Sequence, residues 1–199
     1  MKYVAWFFGL IGIVLAVIFG SILIRNTLRG DAAKNTATLS GAVEKIKLSD
    51  YKKPGATVRM SVEGPVVADE NYRKVQIDIT ISSRDAKIYT GYTGIVLKEV
   101  QLYNNQPAFG AFLDALDSTG FTAERPNVKN KDYKGQCPSG RRYVFELIED
   151  GKTISSLWRS TCIDIAPGTL GVQAIPIVNL FRLQIPDIDK LLAGSGAAL

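Results

Sequence analysis

Histidine is absent from all 199 residues. The commonest general base, which is also the usual partner of a serine or cysteine nucleophile, is therefore missing. Cysteine is scarce as well, with only Cys137 and Cys162. Two thiolates without histidine fall short of the four ligands of a structural zinc, and there is no Cys-x-x-Cys spacing for redox exchange. No phosphate-cradling P-loop, no Gly-x-Gly-x-x-Gly after a strand and no Gly-x-Ser-x-Gly is present. Paired carboxylates remain, Glu63 with Asp78 or Glu146 with Glu149. Each reads more simply as a solvent-facing strand or turn carboxylate than as a glycosidase acid or base. Asp69-Glu70-Asn71 lacks the rest of a calcium loop. Neither enzymatic activity, nor a metal, nor a cofactor is expected.

Charge is missing from one long stretch. Val4 to Ile24 runs for 21 residues without an ionisable side chain, and Ser21 is its only hydroxyl. As a helix it would span roughly 31 Å, about the hydrocarbon thickness of a bilayer. Tyr3 and Trp6 stand at one end, with Arg25 and Arg29 at the other, where interfacial anchors belong. The run exceeds a usual signal-peptide core, and Asp31-Ala32-Ala33 puts a charge where a cleavage site wants a small residue. A retained membrane anchor is expected. Gly12, Ala16 and Gly20 lie four apart, a face that permits close helix pairing and self-association, although such residues are common in membrane helices. Lys2 against Arg25 and Arg29, with Asp31 and Lys34 further out, leaves the orientation nearly tied by charge.

The cysteines break the tie. Glu149-Asp150-Gly151-Lys152 separates two alternating runs, a strong hairpin signal. A turn at Asp150-Gly151 would make Tyr143 face Trp158 and Val144 face Leu157. Cys137 and Cys162 then fall two residues out of register, an offset that Pro138-Ser139-Gly140 can absorb. The alternatives are two buried, inert thiols or a structural disulfide contributing on the order of 3 kcal/mol. The hairpin favours the disulfide, and disulfides persist outside the cytoplasm. The C-terminal domain is therefore expected on the outer side of the membrane.

Four regions follow: an anchor and its flank over residues 1–30, a juxtamembrane spacer or short helix over 31–54, an α+β domain over 55–192 and a flexible tail over 193–199. Leu39, Val43 and Ile46 recur at helical spacing within the second region. In the domain, Val58, Met60 and Val62 alternate with polar residues, as do Val75, Ile77, Ile79 and Ile81. Arg84-Asp85-Ala86 suits a turn, and the strand after it is expected to break near Gly91 or Gly94. Phe109, Phe112, Leu113 and Leu116 form a helical stripe between Pro107 and Gly120. Pro176 is expected to open a second helix carrying Ile177, Leu180 and Phe181, interrupted at Ile185-Pro186. This order suggests an antiparallel sheet with one or two packed helices and a disulfide-flanked hairpin.

From Glu124 to Arg142 six basic residues face two acids, a local excess of four. Lys129, Lys131, Lys134, Arg141 and Arg142 are the candidate binding residues, with Tyr133 among them. Such a loop either serves as a solvated surface or engages an acidic surface polymer, anionic lipid, nucleic acid or protein partner. Tyr89, Tyr92, Tyr103 and Phe109 serve a groove or the core, and core packing is the expected use.

The segments VRMSVEGPVVADENYR, YNNQPAFGAFLDALDSTGF, GQCPSGRRYVFEL, LWRSTC and LFRLQIPD together resemble a group of uncharacterised single-pass exported proteins of ultrasmall, reduced-genome bacteria. The resemblance implies an anchored extracytoplasmic domain with a disulfide and carries no activity. Two function classes follow. One is a membrane-tethered binding or scaffolding domain. The other is a pilin-like filament subunit, weakened by the lack of a basic leader ending in glycine and of an early glutamate in the apolar run.

Overall fold

Alternation of apolar and polar side chains sets the first strands. The computed structural model describes residues 46–128 and 130–199. The expected anchor over residues 4–24, its Gly12, Ala16 and Gly20 face, the spacer up to residue 45 and Lys129 lie outside the described residues. Among the described residues no helix is long and apolar enough to cross a membrane.

Strands β1 (Ala56–Glu63), β2 (Arg73–Thr80), β3 (Ser83–Thr90) and β4 (Ile95–Tyr103) form an antiparallel meander. Helix α1 (Gln106–Thr119) carries the chain back, and β5 (Arg142–Glu149) pairs with the free side of β1, followed by β6 (Lys152–Ser160). The sheet order is β4-β3-β2-β1-β5-β6. Helices α2 (Ala174–Gln184) and α3 (Ile188–Leu192) close the chain. The class is α+β, as the order of elements suggested.

One face of the sheet is apolar because period-two alternation holds in register across neighbours. Met60 sits between Ile77 and Phe145, and Val58 between Ile79 and Leu147. Onto this face α1 lays Phe109, Phe112, Leu113 and Leu116, and α2 lays Ile177 and Phe181. Asn105 caps α1 by accepting from Ala108 N at 3.0 Å, and Gly120 ends it at φ 78°. The rings of Phe112 and Phe181 meet edge to face at 5.2 Å.

Several expectations shift in detail. The compact unit begins at Ile46, and Leu48, within the 31–54 region expected to be a spacer or short helix, belongs to the core at 0% exposure. The turn expected at Arg84-Asp85-Ala86 lies at Ile81-Ser82 instead. There Thr80 Oγ1 accepts from the Ser82 and Ser83 amides at 3.2 and 2.9 Å, and Arg84–Ala86 continue as β3. Residues 193–199 are docked rather than frayed. Ser195 is buried, its carbonyl accepts from Arg73 Nε at 2.7 Å, and Ala197 and Leu199 pack against the core.

The β5–β6 hairpin turns at Asp150-Gly151 as expected, but its register changes. A bulge leaves Ile154 unpaired, so Val144 faces Trp158, Tyr143 faces Arg159 and Phe145 faces Leu157. The extra residue turns Trp158 away from the helices to the opposite face. There it packs with Cys137, Val144 and Ala166 in a second, smaller core.

Candidate functional site

Two loops meet at the end of the sheet where β5 begins and β6 ends. Cys137 and Cys162 join them in a disulfide, with Cα atoms 5.6 Å apart. Residues 168–170 run beside β6: Leu170 N donates to the Trp158 carbonyl at 2.9 Å, and Trp158 N donates to Thr169 Oγ1 at 3.0 Å. Arg125 N donates to the Thr169 carbonyl at 2.7 Å, laying the first loop over the second. Gly168 permits this approach. Its φ is +83°, and a Cβ would stand 2.2 Å from the Trp158 carbonyl oxygen.

Trp158 is buried, and its indole Nε1 donates to the Lys131 carbonyl at 3.0 Å. Beside it opens a cavity of about 310 Å³ whose walls include Arg125, Pro126, Trp158, Ile165 and Pro167. Arg125 Nε is buried there without a hydrogen-bond acceptor among the described residues. Arg159, on β6, is only 9% exposed and donates through Nη1 to the Val172 carbonyl at 3.1 Å. Burial first, and then the charge of Arg125, lower the Arg159 guanidinium from its usual range. Neither arginine has a carboxylate within ion-pair distance among the described residues.

The basic residues singled out by the sequence separate into two groups. Lys131 is 76% exposed and 3.2 Å from Glu124. Lys134 and Arg141 are exposed and make no ion pair among the described residues. Arg142 belongs to the interior. At 3% exposure it donates to the Gly64 carbonyl at 2.7 Å, to the Gln136 and Cys137 carbonyls at 3.2 Å and to Glu63 at 3.4 Å. It ties the cysteine loop to the end of β1 and presents nothing to a ligand. Near this pair, burial first and then the charge of Glu63 push the Tyr133 phenol up to about 12 and raise Tyr72 further.

The carboxylates considered for acid–base work are held in ion pairs. Arg59 grips Asp78 at 2.7 and 3.0 Å and stands 4.0 Å from Glu146, while Glu63 pairs with Arg142 and Glu149 with Lys53. The four aromatics considered for a groove lie in four settings. Phe109 is core, Tyr89 sits under Lys74, Tyr92 stacks on Tyr72 and Tyr103 is 94% exposed.

In the sequence Arg125 stands out only as part of a basic run, and the hairpin register expected there puts Trp158 on the face opposite the one it occupies. Pro126 and Pro167 were the only local signals of two rigid walls. No family model matches the chain, and no curated protein shows significant similarity to it.

Proposed function

We propose that the chain is a membrane-tethered, extracytoplasmic binding domain whose disulfide end engages an anionic polymer at the cell surface. The observation that carries this reading is the exposure of Lys131, Lys134 and Arg141 on loops fixed by the Cys137–Cys162 bridge. A cation held on a rigid frame loses little freedom when a phosphate or carboxylate docks, so preorganisation favours binding. The apolar run over residues 4–24 supplies the tether, and the disulfide fits an oxidising compartment.

The test is a titration of the full chain, in neutral detergent, with a glycerol-phosphate polymer, duplex DNA and anionic vesicles at two salt concentrations. Each polymer contact releases counterions, so affinity should fall steeply with salt. Lys131→Gln with Lys134→Gln should weaken binding and flatten that slope, while the melting temperature stays within a few degrees of the parent. Absence of salt-sensitive binding to all three probes would reduce this end to a solvated surface.

A further inference from the structure

The cavity beside Trp158 is distinct in chemistry from the cationic rim around it. Beside apolar Pro126, Trp158, Ile165 and Pro167 its lining carries three amide side chains, and its one guanidinium, Arg125, brings a buried Nε with no acceptor among the described residues. An unmet buried donor costs about 1–3 kcal/mol, more when it belongs to a charged group. A fold that merely needed a filled corner would be better served by an apolar side chain. The charge of Arg125 also acts on Arg159, whose own charge is disfavoured first by burial. With Nε enclosed, the guanidinium offers a ligand its terminal Nη1 and Nη2, a pair that matches the two oxygens of a carboxylate in a bidentate fork. The volume of about 310 Å³ is at the small end of ligand pockets (~300–1,000 Å³).

We propose that this cavity is a binding site for a carboxylate borne on a compact apolar group, with Arg125 holding the carboxylate, Trp158 and the two prolines flanking the apolar part and Ile165 at the mouth. Two sources share this chemistry: a free N-acylated amino acid and the C-terminal residue of a peptide. The site goes beyond the polyanion reading, because its selectivity comes from apolar walls and one guanidinium rather than from exposed lysines.

The measurement uses the full chain in neutral detergent with Trp6→Phe, which leaves Trp158 as the remaining indole of the two in the sequence. Indole fluorescence is followed during titration with N-acetyl-leucine, N-acetyl-phenylalanine and a tetrapeptide ending in leucine, each against its C-terminal amide. The acids should bind roughly tenfold or more tightly than the amides, since a charge-assisted pair is lost in the amide. Saturation by the N-acyl amino acids assigns the free-acid source, and saturation by the peptide acid alone assigns the peptide terminus. Arg125→Gln should cost a similar factor, while its melting temperature without ligand should hold or rise because a buried unpaired donor has gone. Ile165→Glu, at a position 88% exposed, should weaken binding by placing a carboxylate at the mouth. Equal affinity for acids and amides, or binding unchanged in both variants, would overturn the site. Loss of binding in Arg125→Gln with a marked fall in melting temperature, and none in Ile165→Glu, would overturn it as well, assigning Arg125 to the fold. Lys131→Gln with Lys134→Gln should leave these affinities unchanged, so this site and the polyanion surface fail or stand separately.

Discussion

Gly168 is the residue on which the disulfide end turns most sharply. A Cβ at 2.2 Å from the Trp158 carbonyl oxygen and 2.8 Å from Arg159 Cα meets backbone on both sides, and φ of +83° adds strain. Gly168→Ala should therefore lose about 3 kcal/mol or more of stability, read as a fall in the chemical denaturation midpoint. Tyr133 gives a second handle. Its folded pKa of about 12 lies above the ordinary 10, mainly through burial and then through Glu63. The neutral phenol is thus favoured in the fold: its contribution is present below pH 10 and is lost as pH rises towards 12. Denaturation midpoints measured between pH 9 and 11.5 should fall, and should fall less in Tyr133→Phe; an equal fall in both would contradict this assignment.

At the scale of elements, α1 was legible because its start, stripe and stop are all local: Pro107, the Phe109–Leu116 spacing and Gly120 act within one helix length. The Asp150-Gly151 turn was legible for the same reason. The register beyond it was not, since the bulge at Ile154 is favoured by the burial of Trp158 against Cys137 and Ala166, partners outside the hairpin. The docked tail was hidden likewise, because Gly-Ser-Gly composition says nothing of the Arg73 side chain that holds Ser195. Replacing both cysteines by alanine isolates the staple. Stability should drop by about 3 kcal/mol. Near-ultraviolet circular dichroism from Trp158 should weaken while the far-ultraviolet helical signal persists, because α1 and α2 pack on the other face. Equal loss of both signals would show that the two cores do not melt separately.

For the molecule as a whole, the candidate site was only half legible. The charge excess between Glu124 and Arg142 lies at the end that carries the disulfide and the cavity, yet Arg142 is taken by the interior. Arg125 and Trp158, over thirty residues apart, are brought together only when residues 168–170 align with β6. A net charge of +5 suits attraction to anionic surfaces without naming one. The most direct test of the tethered, outward-facing domain is proteinase K added to intact cells, with an antibody against residues 46–199 as the probe. The expected result is loss of the domain signal while cytoplasmic markers stay intact, with the untreated protein sedimenting in the membrane fraction. Full protection of the domain until the cells are lysed would place it in the cytoplasm and contradict that reading.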